Sequence, residues 1–247
     1  MAEPASFDFI EPDWPAPANV SAFSTTRNAG FSKAPWNSLN FGGNCGDDPQ
    51  HVEKNRQLLA ALLPSKPQWL KQVHGIQVVH LDDREATKTE ADAVTTTTTG
   101  QVCAILTADC LPVLFCNKAG TKVAAAHAGW RGLANGVLEA TVAAMDCQAH
   151  DLLAWIGPAI GPKAFEVGQD VLDVFTQAHS ENSVAFTPHN DRWLADLYKL
   201  ARLALARVGI TDISGGRYCT YTEQDKFFSY RRDGETGRMA SVIWLCD

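Results

Sequence analysis

The sequence lacks the segments that carry a chain into or across a membrane. Residues 1–8 are acidic and have no signal-peptide core, and no apolar run approaches the length that spans a bilayer. The seven cysteines are odd in number and scattered, which favours reduced thiols over a disulfide framework. We therefore expect a cytoplasmic protein with no membrane partner.

An excess of positive charge is also absent. The formal net charge is −7 at pH 7 and the pI is near 5.5, so we expect no nucleic-acid partner. There is no Walker sequence, no Gly-x-Gly-x-x-Gly after a strand and no Gly-x-Ser-x-Gly. This excludes the commonest nucleotide-binding loops and the commonest serine-hydrolase motif. A small anionic substrate would need a local basic pocket.

What the sequence does have is the composition of a globular protein. Of 247 residues, 45% are hydrophobic and 20% are charged, which is enough for one large core. Apolar runs and helical periodicity interleave without a regular βαβ order, and no repeat period indicates a solenoid. We therefore predict a single α/β domain over residues 1–247, with mixed β-sheets.

Periodicity and turn residues locate the individual elements. Helices are predicted at 49–63 with Asp48 as N-cap, at 130–145, at 169–178, and at 191–208 with Asp191 as cap. Outside the central stretch, strands are predicted at 20–26, 68–73, 76–81, 152–156, 218–221, 227–230 and 239–245. The threonine run 95–99 is expected at a sheet edge or turn, and the polar residues 82–90 in a loop.

Two central apolar runs, 107–115 and 123–132, are each interrupted by one reactive side chain. These are Cys110 and His127, and His74 lies at another strand-like boundary. A thiolate and two imidazoles suit zinc, and three protein ligands leave the fourth tetrahedral position open. However, buried cysteines and histidines more often serve packing or hydrogen bonding. With no Cys-x-x-Cys or His-x-x-x-His pair present, the residues alone leave both interpretations open.

The motifs around these residues resemble those of the YfiH-like family, long described as laccase-domain or polyphenol oxidoreductase proteins. The matching segments are Gln-Val-His-Gly at 72–75, residues 107–113, His-Ala-Gly-Trp-Arg-Gly at 127–132 and residues 227–233. The resemblance covers nearly the whole chain. It implies a four-layer α/β/β/α sandwich with the site at a rim where loops meet, and it favours metal ligation by His74, Cys110 and His127, with zinc as the metal and copper as the alternative.

The same resemblance implies an activity. It suggests phosphorolysis of the purine nucleosides adenosine, inosine and methylthioadenosine, together with adenosine deamination. The partners would then be a small-molecule nucleoside and phosphate. Deamination needs a metal-activated water and a nearby carboxylic acid to shuttle protons. Phosphorolysis instead needs phosphate to be held against the sugar, and cationic side chains would bind that phosphate.

Three arginines are candidates for holding that phosphate. Arg27 ends a predicted strand, Arg131 lies in the first turn of a predicted helix, and Arg231 belongs to a loop with three arginines in eight residues. Each could equally be structural, as a cap or in a solvated turn. Asn44, in a loop rich in glycine and asparagine, completes the candidate substrate-binding set.

That loop belongs to a longer segment that resembles the family's N-terminal motif, with one departure. Ala29 stands where a second glycine is usual, so a positive φ at this position would be strained.

Three other functions stay open on the sequence alone. Cys110 could be the nucleophile of a hydrolase that edits cell-wall precursors, with His127 or His74 as base, although a cysteine nucleophile needs only one base. A phenol oxidase would need more imidazoles than seven histidines with no His-x-His pair provide. A non-enzymatic purine- or metal-binding module would keep the ligands without turnover. A monomer or a homodimer is expected.

Overall fold

The computed structural model describes residues 7–81 and 90–247. Its strands are β1 (Phe9–Ile10), β2 (Val20–Thr25), β3 (Val78–His80), β4 (Ala93–Thr96), β5 (Val102–Thr107), β6 (Leu111–Asn117), β7 (Val123–Ala128), β8 (Leu152–Ile156), β9 (Glu166–Val167), β10 (Phe186–His189), β11 (Arg192–Ala195), β12 (Asp212–Gly215) and β13 (Met239–Leu245). Its α-helices are α1 (Pro49–Ala60), α2 (Trp130–Ala134), α3 (Val137–Ala144), α4 (Gln169–Ala178), α5 (Leu197–Arg207) and α6 (Tyr230–Asp233), with 3₁₀ turns at Ala149–Asp151 and Ser180–Ala185.

Two sheets form the centre of the fold. The first has the strand order β1-β2-β13-β5 and is antiparallel throughout. The second has the order β12-β8-β6-β7-β4-β3 and is mixed, because β12 with β8 and β3 with β4 are parallel pairs. A small antiparallel sheet, β10-β11-β9, accompanies them.

Alternating side chains place the two sheets face to face. In β13, Met239 and Ile243 pack in the cluster between the sheets, whereas Ala240 and Val242 pack on the other face, in the cluster that contains Leu59 of α1. On the far side of the second sheet, a third cluster joins β6, β7 and β8 to α3, α4 and α5. The layers are therefore helix, sheet, sheet, helix, which confirms the α/β/β/α sandwich with mixed sheets.

Several predicted elements are confirmed. Those at 152–156, 169–178 and 239–245 match β8, α4 and β13 in both bounds, and those at 20–26 and 49–63 are slightly shorter in the structure, as β2 and α1. Asp48 caps α1 by accepting the Gln50 N–H at 2.8 Å. None of the described helices has the length and apolar character needed to cross a membrane.

Two predicted helices were wrong in their extent. The segment 130–145 is broken into α2 and α3 at Gly136, whose φ of 94° is outside the helical region. The segment 191–208 begins as the strand β11, which pairs with β10 through a turn at Asn190. The helix starts only at Leu197, and its cap is Asp196 rather than Asp191.

The strand predictions at 68–73, 218–221 and 227–230 were also wrong. The first retains one isolated bridge, between Lys71 and Glu90. Near the third, Ser229 caps the short helix α6. Thr95 and Thr96 lie in β4, an interior strand between β7 and β3, rather than at an edge or turn, whereas Thr99 does lie in the turn that follows. Of the loop predicted at 82–90, residues 82–89 lie outside the described ranges.

Candidate metal centre

The candidate site lies at one rim of the sandwich, where the chain crosses between the two central sheets. β5 ends at Thr107 in the first sheet, and β6 begins at Leu111 in the second. Leu111 pairs with Ala128 at the end of β7. The corner formed by residues 108–110 is therefore bordered by both sheets, and Cys110 is its last residue.

Asp109 fixes this corner. Its carboxylate accepts hydrogen bonds from the Thr220 hydroxyl at 2.6 Å and the Arg231 backbone N–H at 2.7 Å, and its carbonyl accepts from the Ile160 N–H at 3.0 Å. Asp109 has a φ of 87°, a left-handed conformation that costs about 1–2 kcal/mol. Contacts from three other segments offset that cost and hold Cys110, the next residue, in place.

His127 lies near the end of β7, on the strand face that points between the sheets. Its Nδ1 lies 2.8 Å from Oδ1 of Asp92, the residue before β4. The His127 backbone N–H also donates to the Asp92 carbonyl at 2.7 Å. Both residues are buried. Because Nδ1 is engaged, Nε2 is the ring nitrogen left to act as a metal ligand.

His74 comes from the loop between α1 and β3. The backbone N–H groups of Val73, His74 and Gly75 donate to the Asp92 carboxylate at 3.1, 2.9 and 2.7 Å. His74 is exposed, has a φ of 60°, and places its Nε2 3.6 Å from the Cys110 sulfur. One buried carboxylate therefore contacts the segments of both histidines.

The three side chains lie close enough together to hold a metal ion. One nitrogen from each histidine and the Cys110 sulfur all lie within 4.8 Å of one another. Zinc at about 2.05 Å from nitrogen and about 2.3 Å from sulfur would separate two tetrahedral ligands by about 3.6 Å. The observed distance between His74 Nε2 and the Cys110 sulfur is also 3.6 Å. Gly129 borders the set so closely that a Cβ there would lie 2.5 Å from His74 Cδ2.

The electrostatics favour a charged pair in the metal-free protein. Burial alone would raise the pKa of Cys110, but the neighbouring His127 and His74 outweigh it and lower the pKa to about 6. Burial would lower the pKa of His127, but the negative charge of Cys110 and the hydrogen bond to Asp92 raise it to about 9. At neutral pH this lowering of the pKa favours the Cys110 thiolate, the form that binds metals.

Of the predicted phosphate-binding residues, Arg231 contacts this corner and Arg131 lies four residues beyond His127 in the sequence. Arg231 is tied to it through its backbone, but its guanidinium donates to the Glu166 carbonyl at 2.6 Å. Arg131 is the second residue of α2, as predicted for a first turn, and is exposed. Its guanidinium lies 4.4 Å from the Trp130 ring centroid and has no hydrogen-bond or ion-pair partner among the described residues. Arg131 is thus the freer of the two.

Arg27 and Asn44 share no hydrogen bond with the three candidate ligands. Arg27 follows β2 and donates to the carbonyls of Asn37 at 3.0 Å and Gln224 at 3.1 Å, so its guanidinium already holds two loops together. It also lines a polar cleft of about 700 Å³. Asn44 is exposed and forms no hydrogen bond with any described residue. Ala29, nearby, does have the positive φ of 70°.

Sequence reasoning missed Asp92, Asp109 and Gly129. A signal for Asp92 exists, because it lies between Ala91 and Ala93 at the start of a buried strand. A carboxylate among buried apolar residues must be hydrogen-bonded, and histidines are common partners. Which histidine it would meet depends on pairing between β4 and β7, which no local pattern reveals.

The fold and the site together define a class of protein: an α/β/β/α sandwich with a His-Cys-His set at its rim. Residues 21–246 match the family model described as multi-copper polyphenol oxidoreductase laccase. The chain belongs to this family.

Its relatives resemble it over almost their whole length. It is 57% identical over 238 residues to purine nucleoside phosphorylase YfiH of Escherichia coli strain K12, covering 96% of this chain and 98% of that protein. It is 52% identical over 241 residues to purine nucleoside phosphorylase PA4543 of Pseudomonas aeruginosa, covering 97% and 99%. The crystal structure of Neisseria meningitidis protein NMB0706 superposes with a TM-score of 0.93 at 51% identity, covering 97% of this chain and 99% of that one.

Proposed function

We propose that this protein is a metal-dependent purine nucleoside phosphorylase. The names of the relatives from E. coli and P. aeruginosa support the reaction class. The observation that carries the metal dependence is the convergence of His74, Cys110 and His127 within 4.8 Å at the rim. Three protein ligands would leave one tetrahedral position for a group from solution. The partners are then a small nucleoside and inorganic phosphate.

We assign zinc as the metal and copper as its competitor. One thiolate and two imidazoles suit zinc, although copper binds such donors more tightly when it is available. The ion would supply a Lewis acid at the rim. Within residues 7–81 and 90–247, this is the one group of three or more histidine, cysteine or acidic side chains arranged to hold a metal. A multicopper oxidase needs more such sites, so phenol oxidation would be a weak side activity.

Phosphorolysis assigns distinct tasks to the residues of the chain. A phosphate oxygen bonds to the anomeric carbon while the glycosidic bond breaks, and the departing base takes the bonding electrons and then a proton. The Arg131 guanidinium, four residues beyond His127, has no hydrogen-bond or ion-pair partner among the residues that the structure describes, so it is suited to hold the phosphate through two parallel hydrogen bonds. Arg231 is the second candidate, because its backbone is fixed to the Cys110 corner. Arg27 and Asn44, which share no hydrogen bond with the three candidate ligands, complete the proposed set.

Adenosine deamination is proposed as the lesser activity. It would need a carboxylic acid free to carry protons. The two carboxylates that contact the ligand segments are both committed: Asp92 accepts from four donors, and Asp109 from Thr220 and Arg231. We propose adenosine, inosine and methylthioadenosine as substrates. Cytoplasmic location and a monomeric or homodimeric state stay predictions.

Product analysis tests this function. Purified protein is incubated with adenosine, with and without inorganic phosphate, and the products are separated by chromatography. We expect adenine and ribose 1-phosphate in the presence of phosphate only, and their loss in Cys110→Ala. Cys147→Ala is the matched control, because Cys147 is a half-buried free thiol that contacts Met145 instead. Equal base release with and without phosphate would contradict the proposal.

A thiol enzyme is the second candidate, and one observation favours it. Cys110, His127 and Asp92 form the thiol, base and orienting carboxylate that nucleophilic catalysis uses. A cysteine nucleophile needs only one base, so the second histidine still favours a metal, but Asp92 supplies the carboxylate that would orient His127 as that base. The two candidates differ under metal chelation. Chelators should abolish the activity of a metal enzyme, whereas a thiol enzyme should keep it and lose it to iodoacetamide.

A further inference from the structure

Asp92 forms more hydrogen bonds than its burial in the core would explain. It is fully buried, and its two carboxylate oxygens accept four hydrogen bonds. Oδ1 meets the His127 ring at 2.8 Å and the His74 backbone N–H at 2.9 Å, while Oδ2 meets the N–H groups of Val73 and Gly75. Successive backbone N–H groups around one anion form a nest, which the left-handed φ of His74 makes possible.

The loop that carries His74 does not depend on Asp92 alone for its position. Gln72 binds the edge of β5 twice, donating to the Leu106 carbonyl at 2.8 Å and accepting from the Leu106 N–H at 2.8 Å. Lys71 pairs with Glu90 through the backbone and through a 2.7 Å ion pair. Because these anchors precede His74, they hold the loop against the sheet but do not orient the histidine.

We propose that Asp92 is the positioning residue of the metal centre, setting two of its three ligands at once. By accepting from Nδ1 of His127, it keeps the proton there and leaves Nε2 free for the metal. By binding the nest, it turns His74 toward Cys110. This inference rests on the proposed metal function, and it adds that one carboxylate, shared between two strand-loop segments, assembles the site.

The test compares two variants of the full-length protein stripped of metal. Zinc affinity is measured by competition with a chromophoric chelator for wild type, Asp92→Asn and Gln72→Ala. Asp92→Asn removes the charge and presents an N–H group to donors, so we expect affinity to fall 10- to 100-fold. Gln72→Ala loosens the same loop without touching the carboxylate, so we expect less than a threefold change. Equal effects of the two variants would overturn the proposal, because the contribution of Asp92 would then be loop anchoring alone.

A second measurement keeps the proposal testable even if Asp92→Asn does not fold. In ¹⁵N-labelled wild type loaded with zinc, NMR of the imidazole nitrogens reports which one is protonated. We expect His127 to carry its proton on Nδ1 and the metal on Nε2, and metal on Nδ1 would overturn the role of Asp92. Failure of the metal centre itself has a different signature, since wild type would then bind no zinc at all in the competition assay.

Discussion

Replacing Gly129 with alanine should weaken metal binding while leaving the stability of the fold almost unchanged. The new Cβ would lie 2.5 Å from His74 Cδ2 and 3.2 Å from the Cys110 sulfur, whereas carbon atoms in contact stay about 3.5–4.0 Å apart. The His74 ring must therefore recede by about 1–1.5 Å. Metal–ligand distances tolerate only about 0.2 Å, so His74 would lose its position as a ligand. We expect zinc affinity to fall at least tenfold, or about 1.4 kcal/mol.

The fold should tolerate this change. Gly129 has φ −61° and ψ 156°, which alanine adopts without strain, and His74 is exposed and free to move outward. The free energy of unfolding of the metal-free protein should change by less than about 1 kcal/mol. Chelator competition and urea unfolding measure the two quantities. Gly43→Ala is the control, because its nearest neighbour would be at an ordinary 3.6 Å. Wild-type zinc affinity in Gly129→Ala would refute the geometry.

Three further predictions concern the anion, the thiol and the core. Arg131→Lys keeps the positive charge but loses the two parallel N–H donors of the guanidinium, so phosphate-dependent base release should fall at least tenfold, about 1.4 kcal/mol, with less effect on deamination. An equal loss of both activities would mean that Arg131 has a structural role. In metal-free protein the pKa of Cys110 is lowered to about 6, so its labelling by iodoacetamide should be fast at pH 7.5 and should slow as the pH drops below about 6. Buried Cys116, whose pKa is raised to about 12, should stay unlabelled. A Cys110 labelling rate that reaches half its maximum only near pH 8.5 would refute this prediction. Tyr198→Phe removes a hydroxyl that accepts from the Ala159 N–H and donates to the Tyr218 carbonyl, and should cost about 1–3 kcal/mol in urea unfolding; an unchanged midpoint would contradict it.

The parts of the fold that could be predicted are those where local pattern and environment agree. β8 is a run of five fully or nearly buried residues, and β13 alternates between two apolar layers, so both are recognisable as strands. The amphipathic pattern of α4 likewise fixed both its ends. In these segments the tertiary contacts reinforce what the sequence prefers.

The errors arose where pairing partners override local preference. Arg192–Ala195 continues a helical stripe into α5, but it pairs with both β10 and β9 and becomes a strand. Gly136 interrupts a helical pattern that its neighbours otherwise continue. Neither the pairing nor the interruption is encoded in periodicity alone.

The candidate site likewise has a part that the sequence predicts and a part that it does not. Cys110, His127 and His74 are identifiable from residue type and motif, and the structure brings their ligand atoms together. Their partner Asp92 is 35 residues from His127 and meets it only through the β4–β7 pair. Motifs indicate the chemistry, but the hydrogen bonds that orient it depend on long-range topology.

The central claim is that His74, Cys110 and His127 hold the metal. Elemental analysis of protein purified without added metal, for wild type and Cys110→Ala, tests it most directly. We predict about one zinc per chain in wild type and a large loss in Cys110→Ala, with Cys147→Ala unchanged. No bound metal in wild type, or full zinc in Cys110→Ala, would contradict the account.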